Sequence, residues 1–412
     1  MVQSLAGLIG LVLIACLLSE NRRRLSWRVI VAGLGVQIGL AALLLKVPGT
    51  QTLFLILDRA VETLLAASQA GTAFVFGYLG GGPAPWTASD PTAGFVLAFQ
   101  ALPLVLVISA LSALLYHWRI LPLVVRAVSH LLERAMGVGG AVGVSASATA
   151  FLGMIEAPLL IRPYLTTLSR GELFLVMTTG MSTIAGTVMV LYATFLKGVI
   201  PDPIGHLLTA SLISVPAALM VGRLMVPDEA RTGAARLDLA HSYGGAMDAV
   251  VQGTFDGVRM LVGICAMLLV LVALVSLVNA GLGLMPAVAG EPLSLQRGLG
   301  WVMAPVAWLM GIPASEMVTA GALMGTKTVL NELLAYLQLA HLPPEALSDR
   351  SRLIMTYGLC GFANLGSLGI LIAGLSAIAP ERRGEIVALG GRAMVGGTLA
   401  SCLSGAVVGL LL

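Results

Sequence analysis

The chain is poor in charged and in aromatic side chains: 10% of its 412 residues are charged and 5% are aromatic. A soluble domain carries about 25% charged residues, so this composition argues against a soluble core. The formal net charge is only +3 and is dispersed along the chain, which argues against nucleic acid as a partner. A chain that is 58% hydrophobic has instead the profile of a polytopic membrane protein.

The short motifs of the common enzyme classes are also missing. The sequence has no HExxH, no G-x-S-x-G and no Rossmann glycine fingerprint, and its five histidines do not cluster. The Gly-Thr-Lys-Thr at 325–328 lacks the spacing of a phosphate loop. The four cysteines form no CxxC pair and indicate small core residues. We therefore predict a protein that is not an enzyme and has no cofactor.

Apolar runs of about 20 residues recur along the chain, and each is long enough to cross ~30 Å of hydrocarbon. They predict an all-α polytopic membrane protein with about eight transmembrane helices and two re-entrant hairpins. The predicted spans are 4–19, 27–46, 94–117, 172–196, 204–226, 257–280, 352–377 and 386–411, and the hairpins are 138–167 and part of 292–340. Residues 50–92 indicate an interfacial helix with a surface loop, and 119–136 an amphipathic surface helix.

The positive charges predict the orientation of these spans. With the N-terminus outside, sixteen basic residues lie on the cytoplasmic side and six lie outside. The remaining one, Lys327, lies in the second hairpin. This asymmetry holds only if both hairpins re-enter on their own side of the membrane. We expect a multi-pass protein of the bacterial inner membrane.

An internal repeat organises the second part of the chain. The tetrapeptide MTTG at 177–180 opens one interrupted helix, and MTYG at 355–358 opens another. Each is preceded by a glycine-broken hairpin, with Gly153 and Gly325 near the presumed tips. A single span between the two units makes the second inverted relative to the first, which is typical of secondary transporters. The predicted units are scaffold spans at 1–118, a first transport half at 119–228, a cytoplasmic segment with a scaffold span at 229–290, and a second transport half at 291–412.

Glu156 is a carboxylate inside apolar sequence, between Gly153 and Pro158. Broken backbone and an acid are tolerated at membrane depth only inside protein or beside a water-filled cavity. Glu156 is therefore a candidate for binding a substrate hydroxyl or a cation, or for carrying a proton. The alternative is a structural ion pair with Arg162 or Lys327.

Asn364 and Ser367 lie three residues apart, on one face of an otherwise apolar helix. Their amide and hydroxyl suit hydrogen bonds to a polar ligand, and Phe362 can stack on a flat ring. The alternative is hydrogen bonding between helices.

Thr149 and Thr183, with nearby carbonyls such as those of Leu152 and Ile184, form a candidate site for a small cation. The alternative is that both hydroxyls bond their own helix backbone.

The second hairpin carries Lys327, Asn331 and Glu332. For these residues a structural ion network and contact with a ligand are equally consistent with the sequence.

The sequence resembles the concentrative nucleoside transporter family over nearly its whole length. The matching stretches are GMIEAPLLIRPYL, MSTIAGTVM, KTVLNELLAY, LCGFANLGSLGILIAGLSAIAPERRGEI and the early SENRRR loop. The resemblance implies a homotrimer in a lipid membrane, each protomer having a scaffold and a moving transport domain. It also implies cation-coupled uptake of a nucleoside or nucleoside-like solute by alternating access, with Na⁺ or H⁺ as the coupling ion. The same fold carrying another compact solute, or a receptor without transport, are the alternatives.

The family's site residues carry over only in part. Glu156 matches the acid of the family's Gly-Gln-Thr-Glu hairpin tip. Phe362, Asn364 and Ser367 match residues that cradle base and ribose, and Val188 matches a wall position.

The departures concern recognition of the base, the ribose and the cation. Met154 and Ile155 replace the Gln and Thr that read the base, so we expect a more apolar cavity. The family's second acid falls at Ala322 in this comparison. Thr149 and Thr183 stand where the family has Asn and Ser in its sodium site.

Overall fold

The computed structural model describes residues 2–83, 96–228, 243–288, 290 and 292–412. Within these residues the chain folds into α-helices joined by short turns and 3₁₀ segments. The helices are α1 Val2–Leu17, α2 Trp27–Lys46, α3 Pro48–Phe76, α4 Leu97–Gln100, α5 Leu104–His117, α6 Ile120–Met136, α7 Gly140–Thr149, α8 Glu156–Leu159, α9 Arg162–Leu165, α10 Arg170–Ser182, α11 Gly186–Leu196, α12 Pro203–Met225, α13 Ala246–Leu282, α14 Leu295–Leu309, α15 Met317–Val329, α16 Glu332–His341, α17 Asp349–Leu359, α18 Leu365–Ile378 and α19 Arg383–Leu411.

Helical segments of membrane-crossing length confirm the predicted fold class. Those that are long and apolar enough lie at 27–46, 97–117, 170–196, 203–225, 246–282 and 380–411, with shorter apolar helices at 3–17 and 365–378. They correspond one to one to the predicted spans. The predicted surface helix at 119–136 is α6, and the interfacial helix is α3, while residues 84–92 of the predicted loop lie outside the described residues.

Helix α13 is much longer than the predicted span at 257–280. Its 37 residues extend over about 55 Å at 1.5 Å per residue, well beyond ~30 Å of hydrocarbon. It packs along α5, and most of its apolar side chains remain exposed. The α5–α13 pair therefore forms a wall at the edge of the molecule.

Helices α1 and α2 pack on the repeat units and not on that wall. Both contact α12 and α19, the last helices of the two halves. The Gln37 amide donates to the Ser404 hydroxyl at 3.2 Å, and Gly33 lies against Met220, where a Cβ would come within 2.5 Å of the Met220 Cβ. The predicted unit 1–118 thus groups helices that pack on different partners.

A charged cluster joins the loop after α1 to both halves. The Glu20 carboxylate accepts a hydrogen bond from Arg170 at 2.9 Å and pairs with Arg392 at 3.0 Å. The hydrogen bond from Arg170 lowers the pKa of Glu20 from its ordinary value of 4.5, and the charge of Arg392 adds to that effect. Partial burial of the carboxylate opposes it.

This lowered pKa predicts how the cluster's stabilisation depends on pH. The stabilisation is complete above the ordinary pKa of Glu20 and is lost as pH falls through the lower pKa of the folded state. We expect Glu20→Gln to reduce the free energy of unfolding at pH 7 by less than about 1 kcal/mol, since the pair is partly exposed. Melting curves of the purified protein should show this difference shrinking in acid, whereas Glu345→Gln, at an exposed site, should show none.

Candidate functional site

The two interrupted helices cross at their breaks. Residues 183–185 separate α10 from α11, and residues 360–364 separate α17 from α18. The Phe362 N–H donates to the Thr183 carbonyl at 3.2 Å, which links one break to the other. Gly361, at φ +154°, lies against the backbone at the end of α10, where a Cβ would come within 3.0 Å. The close approach therefore requires glycine at this position.

The tip of the first hairpin docks onto this crossing. It comprises residues 150–155, between α7 and α8, and the Phe151 carbonyl accepts the Gly186 N–H at 2.9 Å. Glu156 follows the tip with an exposed side chain whose carboxylate lies over Gly153; a methyl group added there would overlap it. Glu156 therefore lies at the surface of the tip and not in a structural ion pair.

Met154 and Ile155, which the resemblance matches to the family's base-reading positions, pack the tip against helices of both repeats. Met154 is buried against Gly180 of α10, where a Cβ added to the glycine would lie 3.1 Å from the Met154 Cβ. Ile155 lies against Gly374 of α18, where a Cβ added to the glycine would lie 2.7 Å from the Ile155 Cδ1. Both side chains therefore make apolar contacts that hold the hairpin tip against helices of the two repeats.

The second hairpin brings a second carboxylate to the crossing. Glu332, the first residue of α16, is 4% exposed. Its Oε1 accepts a hydrogen bond from the Tyr192 hydroxyl at 2.7 Å, and its Oε2 accepts one from the Asn364 amide at 2.9 Å. Asn364 in turn caps α18 by accepting the Ser367 N–H at 2.7 Å. We call Glu332, Tyr192 and Asn364 the carboxylate cluster.

The structure thus places the second acid differently from the sequence comparison. Ala322 lies in α15 against Gly300 of α14, where a Cβ added to the glycine would come within 3.2 Å of the Ala322 Cα. Glu332, which sequence reasoning assigned equally to a structural network, is the carboxylate that reaches Asn364. A signal was present: Glu332 opens the second arm of its hairpin just as Glu156 opens that of the first.

Neither Lys327 nor Arg162, the two candidate partners for a structural ion pair, pairs with Glu156. Lys327 is fully buried and donates to the Gly358 carbonyl at 2.9 Å and to the Ser401 hydroxyl at 3.0 Å. Arg162 is exposed. Among the remaining predicted site residues, the structure buries Val188 in α11 and Ser367 in α18, and half-buries Phe362 in the break.

The candidate cation residues lie at the first hairpin and the first break. The Thr149 and Thr183 hydroxyls each donate to a carbonyl of their own helix, at 2.8 and 3.0 Å. Both protons are therefore used in hydrogen bonds to the helix backbone, as the alternative interpretation predicts. Their oxygen lone pairs stay available to a cation. Ile184 is buried and Leu152 half-buried beside them. Neutral hydroxyl and carbonyl oxygens at helix ends fit a small alkali cation, and the described residues hold no His, Cys, Asp and Glu cluster suited to a transition metal.

Two helical hairpins, two interrupted helices that cross at their breaks and polar groups buried at the crossing define a secondary transporter. Comparison with known families agrees. The model "Na+ dependent nucleoside transporter C-terminus" matches residues 206–409, the corresponding N-terminus model matches 6–79, and "Nucleoside recognition" matches 98–198.

Individual relatives match over the full chain. An uncharacterized transporter of Haemophilus influenzae is 36% identical over 99% of this chain and 97% of its own. The nucleoside permease NupC of Helicobacter pylori is 34% identical over the same shares. A solved structure, CNTnw in an inward-facing substrate-bound state, has a TM-score of 0.89 and 34% identity over 99% of this chain and 97% of that one. The chain belongs to the concentrative nucleoside transporter family and is a transporter, not an enzyme.

Proposed function

We propose that the protein imports nucleosides across the bacterial inner membrane by alternating access, coupled to Na⁺. The observation that carries this proposal is the carboxylate cluster at the crossing of the two breaks, in a chain of this family. The family models that match the chain are those of Na⁺-dependent transporters, which favours Na⁺ over H⁺.

The site residues divide into two groups in this proposal. Glu332 and Asn364 bind ribose hydroxyls, because a carboxylate accepts and an amide both donates and accepts. Phe362 stacks on the base, and Glu156 contacts the solute from the hairpin tip. Thr149 and Thr183, with the carbonyls at Leu152 and Ile184, hold the cation beside the first break.

The moving body in this proposal is larger than residues 119–228 and 291–412. Helices α1 and α2 move with the repeats, since they pack on α12 and α19, and the α5–α13 wall is the scaffold. A homotrimer built on that wall would cover apolar side chains such as Phe255, Leu269 and Leu277, which are 62–72% exposed. Native mass spectrometry that finds only monomers or dimers would contradict the trimer. Labelling of cysteines placed at 20–28 and 381–385 from the cytoplasm tests the outside N-terminus.

Proteoliposomes test transport and its coupling. We expect labelled nucleosides to accumulate under an inward Na⁺ gradient, with choline as the control cation. Accumulation driven by a proton gradient alone would replace Na⁺ by H⁺. Nucleoside binding without counterflow would favour a receptor, and counterflow only with other members of a metabolite pool would change the cargo.

The apolar hairpin tip predicts how base recognition can be restored. A hydrogen bond contributes about 1 kcal/mol, so Met154→Gln with Ile155→Thr is expected to raise nucleoside affinity roughly fivefold per bond formed. Isothermal titration with purine and pyrimidine nucleosides measures this gain. The control, Met154→Leu with Ile155→Val, changes the packing against Gly180 and Gly374 without adding polar groups. Equal affinities in both double variants would show that these positions do not face the base.

A further inference from the structure

Lys327 is a buried charge whose hydrogen-bond partners are neutral oxygens, and the Glu332 carboxylate acts on it only through space, without an ion pair. It lies in the last turn of α15, the first arm of the second hairpin, with no exposed surface. Its ammonium donates to the Gly358 carbonyl and the Ser401 hydroxyl, and among the described residues it forms no ion pair. Removing a lysine charge from water costs several kcal/mol unless it is compensated. This arrangement therefore needs an explanation beyond packing.

The ammonium lies at the C-terminal end of a half-helix. Gly358 is in the last turn of α17, just before the second break, and its carbonyl is one of those that form the negative end of the helix dipole. A carbonyl at a half-helix end together with a hydroxyl from a neighbouring helix is the donor set that transporters offer to small coupling cations. Lys327 thus occupies, with its own charge, a position of the kind that a bound cation takes.

The inverted repeat contains the corresponding position without a lysine. MTYG at 355–358 matches MTTG at 177–180, so the end of α17 corresponds to the end of α10. There the Ser182 and Thr183 hydroxyls both donate to the carbonyl of Thr179, the residue before Gly180, which matches Gly358. The first hairpin has no basic residue before Arg162, which is exposed and lies beyond the tip. The first break therefore has the oxygens but not the charge.

We infer that Lys327 is a tethered cation, which holds the second break as the exchangeable coupling cation holds the first. One protomer then takes up a single Na⁺, because the second of its two pseudo-symmetric cation positions is filled by its own ammonium. Lys327 is in this sense a positioning residue: it fixes α17, and through the break it fixes Asn364 in the carboxylate cluster. The inference rests on the proposed cation coupling and not on the identity of the solute.

Sodium binding to the purified transporter without substrate tests this inference. Binding of ²²Na⁺ is measured at equilibrium, and the melting temperature is measured as NaCl replaces choline chloride at constant ionic strength. We expect one Na⁺ per protomer in the wild type and two in Lys327→Thr, which opens space and supplies a hydroxyl. The melting temperature of Lys327→Thr should be lowered in choline and restored by Na⁺. Lys327→Met, which fills the space without charge, should stay destabilised at every Na⁺ concentration.

Two further variants complete the design. Lys197→Thr removes a lysine that is 61% exposed and paired with Glu62, and should behave as the wild type does. Lys327→Arg keeps the charge and should bind one Na⁺. If Lys327→Thr does not fold, the comparison of Lys327→Arg with Lys327→Met decides: equal melting temperatures would overturn the inference.

The outcomes also separate this inference from the proposed function. One Na⁺ in both the wild type and a folded Lys327→Thr overturns the tethered cation and leaves Na⁺ coupling intact. No Na⁺ in the wild type overturns both. If nucleosides failed to accumulate in proteoliposomes, the proposed cargo would be wrong, but the number of Na⁺ ions bound per protomer would be unaffected.

Discussion

Replacing Glu332 by Gln is expected to reduce nucleoside affinity roughly ten- to hundredfold. The carboxylate accepts from two donors at once, the Tyr192 hydroxyl and the Asn364 amide. A glutamine offers one oxygen and one NH₂ to the same pair: the oxygen can accept from the Asn364 amide, and the Tyr192 hydroxyl must then turn to accept from the NH₂, which takes its proton away from the acceptor it has in the wild type. The ribose hydroxyl that we propose to bind Glu332 would also lose a charged acceptor. A hydrogen bond to a charged group contributes about 1.5–3 kcal/mol, which corresponds to a ten- to hundredfold loss of affinity. Equilibrium binding to purified protein measures it.

The same substitution should also destabilise the empty protein, by about 1–3 kcal/mol for a buried donor without a partner. Tyr192→Phe removes one donor and should restore part of the melting temperature of Glu332→Gln. Glu345→Gln, at an exposed site, is the control and should change neither quantity. If Glu332→Gln bound nucleosides with wild-type affinity, the assignment of the carboxylate cluster to the substrate site would be wrong.

Much of the fold follows from the sequence because lipid imposes strong local constraints. A span needs about 20 apolar residues in a row, and such runs mark their own positions, as at 27–46 and 203–225. The tip of the first hairpin is equally local. Gly153 and the acid after it interrupt apolar sequence, and the structure places the tip there, at 150–155.

The second hairpin shows why glycine alone is an ambiguous signal. Gly325 suggested its tip, but this residue lies inside α15, where a Cβ would come within 2.9 Å of Leu299 of α14. Its role is close helix packing. The tip is at 330–331, where Asn331 caps α16 by accepting the Leu334 N–H at 3.0 Å. A capping side chain was the better marker of the break.

Contacts between distant parts of the chain escaped sequence reasoning altogether. Tyr192 lies 140 residues before Glu332 and reads locally as one more aromatic residue in an apolar helix. Likewise, nothing in the apolar pattern of α1 and α2 shows whether they pack on α12 and α19 or on α5 and α13. Such pairings depend on tertiary packing, which neither propensity nor period encodes.

Glu156→Gln is expected to abolish transport while leaving the fold intact. The Glu156 side chain is exposed and lies over Gly153, and the oxygen of a glutamine can still accept from the Ile155 and Glu156 N–H groups that face the carboxylate. Substitutions at such sites usually alter stability by less than about 0.5 kcal/mol. Transport, in contrast, should lose the contact that the hairpin tip makes with the solute. Uptake and melting temperature, measured on the same preparation, separate the two effects.

A double variant extends this test to the relation between the two acids. If Glu156 and Glu332 contact different parts of one solute, the losses in binding free energy of the single variants should add within about 0.5 kcal/mol in Glu156→Gln with Glu332→Gln. If both contact the same hydroxyl or the same cation, the double variant should lose little more than the worse single one. A Glu156→Gln protein that transports at the wild-type rate would contradict the assignment of the tip to the site, and the solute would then be held by the carboxylate cluster alone.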